Sequence, residues 1–435
     1  MKPHTLLVAL AAALTLQTAS AGSLQQLYQQ ALASDPQLKA ARANYLAAAE
    51  VAPQSRAALL PAVNLQADLG YTDTRPTTAR AVDGSAHSIG VSLTQPVFRA
   101  QSWYNYQSGK LQSERAAIEF SRAEQALIRR TVDAYLNVLL AETSHSTALA
   151  EEAAVRRRLD QVKAQFEVGL IAITDVEEAQ AAFDTAQVNR IIAEGDLDNS
   201  FEAIERLVGG SWRKLEPLGD QFPVEQLTPA DYQPWVAKAL EGNIAYQLAQ
   251  YDVDVAASGR QSAAAGHYPT VDLVASFTRD DGNLSSSDSV DRSFVGLNLN
   301  LPLYLGGGVR SQERQSYQRW DAALQLREDT QRAVVQDTRS LFRNLKTDVQ
   351  TVAARQQSIV SSQTALDATE AGYSVGTRNI VDVLQAERAL FAAVRDYQIA
   401  RYTYVRNLFL FKETLGTLNP EDLAQLDRWL VARDS

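Results

Sequence analysis

The chain has 435 residues, a formal net charge of −10 and no cysteine. Disulfides, thiolate metal sites and thiol nucleophiles are therefore excluded together, and stability must come from packing. The acidic balance argues against nucleic acid as the main partner; it fits either a solvated acidic surface or an acidic, water-filled lumen.

The first residues read as an export signal. Lys2 and His4 precede an apolar run from Leu6 to Leu16, and Ala19-Ser20-Ala21 offers the small residues of a cleavage site. The spacing predicts a signal peptide over 1–21 and a mature chain from Gly22, with no cysteine to carry a lipid. No later apolar stretch reaches the roughly 18 residues of a membrane helix. That excludes a helical inner-membrane protein but not a barrel, whose strands need only about 9–11 residues of alternating polarity.

From Gly22 onward the chain repeats itself at an offset of 206 to 208 residues. Asp35 matches Asn243; Pro61, Val63 and Leu65 match Pro269, Val271 and Leu273; Gly169 matches Gly376, and Gly209 matches Gly416. Landmarks in one order on both sides mark a tandem duplication, with repeats over 22–215 and 216–435. Each repeat reads as helix, β-hairpin (61–98 and 269–304), very long helix, sharp turn (near 169 and 376) and long helix. An equatorial tail begins at about 419.

The first strand pair sets Val63, Leu65, Ala67, Leu69 and Tyr71 against Asn64, Gln66 and Asp68, and then Ile89, Val91 and Leu93 against Ser88, Gly90 and Ser92. The second sets Val271, Leu273, Ala275 and Phe277 against Asp272 and Ser276, with Val295, Leu297 and Leu299 against Gly296, Asn298 and Asn300. Such alternation suits a barrel strand between lipid and water, and equally an ordinary soluble sheet. Thr72 to Ala86 and Arg279 to Arg292 read as polar loops. Four strands cannot close a barrel, and open edges are not tolerated in lipid, so a membrane reading requires several copies.

Pro96 and Pro302 are expected to end strands, with Gly306, Gly307 and Gly308 turning the chain into the next helix. That glycine cluster is not a phosphate loop: no Lys-Ser/Thr follows it, and the first repeat has no counterpart. Neither Gly nor Pro occurs from Lys110 to Val168 or from Val309 to Ala371. Those runs predict helices on the order of 90 Å long. Ile128, Val132, Tyr135 and Leu139, and again Leu341, Leu345, Val349 and Val352, give each a coiled-coil seam.

The turns after these helices carry the most specific signal. Gln165-Phe166-Glu167-Val168-Gly169-Leu170-Ile171-Ala172-Ile173-Thr174-Asp175-Val176 and Ala371-Gly372-Tyr373-Ser374-Val375-Gly376-Thr377-Arg378-Asn379-Ile380-Val381-Asp382-Val383-Leu384 closely resemble the two periplasmic-tip motifs of the TolC-type outer membrane efflux family. The likeness covers essentially the whole mature chain.

The resemblance implies an α+β membrane channel-tunnel, a homotrimer whose shared twelve-stranded barrel continues into a long α-helical barrel. A smaller mixed belt would draw on residues near Ser211 to Pro234 and on the tail from Asn419. It implies an exit duct in the outer membrane of a Gram-negative bacterium, serving tripartite efflux or type I secretion. Its partners would be outer-membrane lipid, a periplasmic adaptor (membrane fusion protein) and an inner-membrane RND or ABC pump. Thr174, Asp175, Tyr373 and Arg378 would tie the tip shut, though spacing alone also allows Asp175 to cap its helix and Arg378 to be solvated. Asp382 would form an acidic ring at the entrance; the family's second acidic position is Gln385 here, which predicts weak divalent-cation block. Val168, Gly169, Val375 and Gly376 would touch the adaptor.

Other classes fit less well. His87, His145 and His267 have no partner at metal-ligand or triad spacing, so no enzyme, metal or cofactor is expected. A soluble periplasmic coiled-coil adaptor would need only one helical hairpin, where this chain has two and two pairs of amphipathic strands; a structural spacer would be told apart by whether deletion alters drug sensitivity or secretion.

Overall fold

The computed structural model describes residues 22–74, 82–282 and 289–431. The expected signal peptide lies outside them, as do Arg75, Pro76 and the run Ser285 to Ser287. Helices α1 (Leu24–Ser34), α2 (Pro36–Ala49) and α3 (Val51–Ala57) lead into strands β1 (Ala62–Thr74) and β2 (Val82–Phe98), then α4 (Ala100–Glu167) and α5 (Ile173–Val208). The second half follows the same order: α6 (Gln233–Gly242), α7 (Ile244–Ala264), β3 (Thr270–Gly282), β4 (Val290–Asn300), α8 (Gly308–Ser374) and α9 (Ile380–Thr414). A short α10 (Pro420–Asp427) comes last.

Matched residues do matched work. Asp35 caps α2 by accepting from the Leu38 amide at 2.9 Å, and Asn243 caps α7 by accepting from the Tyr246 amide at 3.0 Å. Gly169 and Gly376 sit at φ +76° and +77°. At both tips the glycine amide returns to a carbonyl three back and the next amide to one five back: Gly169 to Phe166 and Leu170 to Gln165, then Gly376 to Tyr373 and Thr377 to Gly372. This is the left-handed glycine stop that terminates a helix cleanly. At 68 and 67 residues, α4 and α8 are each about 100 Å long.

The strands form one antiparallel sheet in the order β1-β2-β3-β4. The row Val63–Leu93–Ala275–Val295 crosses one face, and the row Gln66–Gly90–Thr278–Arg292 crosses the other. Much of the apolar face is exposed among the described residues, Leu69 at 88% and Val295 at 76%, while Leu93, Leu273 and Ala275 in its middle are half-buried. The outer edges of β1 and β4 pair with no other described strand. No helix among the described residues is long and apolar enough to cross a membrane.

Two expectations fail here. Pro96 does not end its strand: β2 runs on to Phe98, with Pro96 opposite Asp272 and a register irregularity before Phe98. Pairing with β1 stops at Thr94, so β2 serves a single ladder there and a residue without an N–H is tolerated at the bulge. Arg99 follows and forms a two-pronged bond to Asp272 at 2.8 and 2.7 Å, tying the corner of α4 to β3. The expected loops are also shorter than read. Asp73, Arg279, Asp280 and Arg292 lie in strands, and Arg279–Asp291 (2.7 Å) and Arg292–Asp280 (3.2 Å) pair across β3 and β4. Pro302, by contrast, follows the end of β4, and Gly306 and Gly307, at φ +61° and +81°, turn the chain into α8, which starts at Gly308.

The main core sits midway along the helices. Leu127, Tyr135 and Leu139 of α4 meet Leu345 of α8 and Phe411 of α9, and Leu24, Leu215 and Leu423 join from the surrounding belt. The segment after α5 is stitched to the N-terminal residues and to the tail by bridges Gly22–Leu215 and Leu218–Leu430. Arg401, 1% exposed, is held there by the Gly219 carbonyl and by Gln398 at 2.9 Å. Below this belt α4 packs against α5 and α9, and α9 against α8; above it α7 lies between α4 and α8.

Candidate functional site: the helical tip

Both helical hairpins turn at the end of the molecule remote from the sheet. Val168, Gly169, Val375 and Gly376 are exposed there, Val168 and Val375 at 71% and 72%. A second apolar cluster lies just behind: Val155, Leu159 and Val162 of α4, Ala179, Ala182 and Ala186 of α5, and Ile380 and Leu384 of α9. The small alanine faces let α5 approach closely.

Tyr373 is partly buried against this cluster, and its hydroxyl donates to Gln165 Oε1 at 2.9 Å, joining α8 to α4. Burial raises its pKa, the Asp175 carboxylate adds to that, and Arg158 opposes it. Asp175 is half-buried; its amide donates to the Ala172 carbonyl at 3.2 Å, and its side chain does not cap α5. Thr174 is exposed. Arg378 approaches Asp382 at 3.8 Å on an exposed flank, with no ion pair to Asp175 among the described residues of one subunit. Asp382 also closes a capping box with Asn379: its amide donates to Asn379 Oδ1 at 2.9 Å, and its carboxylate accepts from the Asn379 amide at 3.4 Å. Gln385 is exposed one turn along α9. Within a subunit, then, Tyr373 and Asp175 are electrostatic neighbours, while Arg378 is drawn to Asp382.

The least exposed ion pair at this end is one that sequence alone did not reveal. Arg158 of α4 bonds to Glu370 of α8 and, at 3.1 Å, to Glu387 of α9, joining three helices one layer behind Tyr373. Arg158 and Glu387 side chains are only 13% and 9% exposed. Position on the seam was the available signal: Arg158 falls between Val155 and Leu159, and Glu387 follows Val383 and Leu384 by one turn. Further out, Arg190 joins Glu152 at 2.7 Å between α5 and α4, and Arg355 joins Asp396 at 3.1 Å between α8 and α9. Contacts between the helices at this end are thus small apolar faces laced with charge pairs.

A sequence model of the family described as outer membrane efflux protein matches residues 27–210 and 235–417, nearly both halves in full. The chain belongs to that family. Among its efflux-protein relatives, outer membrane protein TolC of Vibrio cholerae is 35% identical over 415 residues, covering 94% of each chain. Alkaline protease secretion protein AprF of Pseudomonas aeruginosa is 29% identical over 407 residues, covering 91% of this chain and 85% of that one. Among solved structures, the outer membrane protein VceC of Vibrio cholerae superimposes with a TM-score of 0.79 at 18% identity, over 90% of this chain and 96% of that one. The fold is that of one subunit of an outer-membrane channel-tunnel, and the protein is located in the outer membrane.

Proposed function

We propose that this chain is the passive exit duct of an efflux or secretion system, three copies pooling their hairpins into a twelve-stranded barrel that continues into a helical tunnel. One observation carries the reading: a four-stranded sheet with a largely exposed apolar face and two edges unpaired among the described residues, joined directly to helices about 100 Å long. In lipid such edges must be paired, and a ring of copies pairs all of them. The likeness to TolC and AprF supports export, of small solutes or of polypeptides. The partners that fit are a periplasmic adaptor, which the exposed turns Val168-Gly169 and Val375-Gly376 would contact, and an inner-membrane RND or ABC pump.

The tip is the gate in this reading. Packed helix ends with small apolar faces move as units, and the charged ties between them can be exchanged. Thr174, Asp175, Tyr373 and Arg378 hold the closed state, with Arg378 free on its exposed flank to exchange Asp382 for a neighbouring copy. Three Asp382 carboxylates at the entrance would favour cations. The test is single-channel recording in planar lipid. Wild-type protein should insert as a channel of low, cation-selective conductance, and a Tyr373→Phe, Arg378→Ser variant should conduct more. Absence of any conductance would remove the reading.

A further inference from the structure

The two flanks of one subunit differ in sign. Below the belt the helices run side by side as α5, α4, α9, α8, in the same sense as β1 to β4 across the sheet, so α5 and α8 are the open flanks. On α5 the buried residues Ala182, Ala186, Ala193 and Ile204 face α4. Asp184, Val188, Ile191, Gly195, Asp198 and Glu202 lie opposite, in alternating steps of four and three, all exposed. That spacing is a coiled-coil seam with no helix against it in the subunit. On α8 the buried side is Val334, Thr338, Leu341 and Leu345, and the opposite side reads Gln336, Arg339, Arg343, Lys346 and Gln350 in steps of three and four, also exposed.

We propose that the acidic seam of α5 docks on the basic flank of α8 of a second copy, Asp198 and Glu202 of one against Lys346 and Arg343 of the next. The inference rests on the ring assembly proposed above and adds which side chains select the head-to-tail contact. Any ring that sets β4 of one copy beside β1 of the next also sets α8 beside α5. The heights agree: Asp198 and Glu202 lie 25 and 29 residues beyond Ile173, and Lys346 and Arg343 lie 28 and 31 residues before Ser374, both counted from the tip turns. At about 1.5 Å per residue the two pairs fall within one helical turn of each other. Nearer the tip, Val188 and Ile191 (each 54% exposed) come level with Val360 (57%), so an apolar contact continues below the charged one. Among the described residues Asp198, Glu202 and Lys346 have no ion-pair partner, and Arg343 has only a 3.4 Å bond to Ser340. The belt borders this flank on one side: Arg339 sits over the ring of Tyr232 at 5.1 Å, and Gln226, Leu227 and Ala230 line a small cavity with Phe342 and Lys346, while Arg343 turns further from it. Like charges would face one another in a head-to-head contact of two α5 or two α8 flanks, so the same residues disfavour the wrong arrangement.

The chain has no native cysteine, which makes a direct test available. A Glu202→Cys, Arg343→Cys variant, oxidised in membranes, should give a covalently linked trimer on non-reducing gels, and each single variant should not. Asp198→Lys with Glu202→Lys should lower the temperature at which the trimer dissociates in SDS. Adding Arg343→Glu and Lys346→Glu should restore it, which a folding defect would not allow. A stable wild-type trimer in which the cysteines fail to link and charge reversal has no effect overturns this interface and leaves the trimer standing. A monomeric wild-type protein overturns both.

Discussion

Arg158 concentrates the energetics of the tip in one side chain. Its guanidinium compensates Glu387, whose second carboxylate oxygen already lacks a hydrogen-bond partner. Removing one member of a buried pair typically costs about 3–5 kcal/mol, because the other charge is left stranded. Arg158→Ala should therefore loosen α4, α8 and α9 at this end and raise single-channel conductance. Adding Glu387→Gln should recover part of the loss, since no charge then remains to be compensated. The bond to Glu370, which is half exposed, contributes less. In the proposed gate, where Asp382 would ring the entrance, Gln385→Glu should add a second carboxylate ring and tighten block by divalent cations, read as a lower blocking concentration in the same recordings; unchanged block would separate Gln385 from the cation path. A third residue governs acid stability away from the tip. Burial pushes the Asp35 carboxyl up, but bonds from Arg130 and from the Leu38 and Gln37 amides, with the guanidinium charge, outweigh it and leave the group below its ordinary value. A carboxylate so depressed stabilises the fold above the unfolded value of about 3.9 and loses that contribution as pH falls through the folded value. Asp35→Asn should lower the melting temperature at neutral pH and flatten its decline in acid.

Elements were legible to different degrees, for physical reasons. The long helices follow from two runs without Gly or Pro, and α4 and α8 span them with ten or fewer residues added before each run. The sheet faces follow from alternation, since an apolar side chain at every second position can point only one way. Strand ends were less legible. Polar residues such as Asp280 and Arg292 look like loop, yet charge pairs across neighbouring strands stabilise a ladder as well as apolar pairs do. Pro96 looked like a stop because its unpaired neighbour edge is a property of the sheet, not of the local sequence. The tip charges Arg158 and Glu387 were hidden for the same reason, as a charge on a helix reads as solvated until the third helix is placed. The tip turns themselves were plain. Gly169→Ala and Gly376→Ala force a β-carbon into the left-handed region, at about 1–2 kcal/mol each. Hydrogen exchange should show faster opening of the last turns of α4 and α8, with the belt unaffected.

At the scale of the whole molecule, one subunit is incomplete in three places at once. Among the described residues the sheet leaves two edges open, much of the apolar face of β1 to β4 is exposed, and the outward seams of α5 and α8 have no helix of the same subunit against them. Tandem duplication explains why these needs coincide, because each half brings one hairpin and one pair of long helices along the same axis. A ring of three copies meets all of them, giving lipid for the apolar face and a neighbour for every edge and seam. The belt, rich in buried contacts, would hold the ring while the tip, held by small faces and exchangeable ties, opens. The most direct measurement is the protein mass of the detergent-extracted assembly, obtained by light scattering with the detergent contribution subtracted. Three chains per particle, falling to one on heating in SDS, is the expected result; a particle containing one chain before heating would contradict the account.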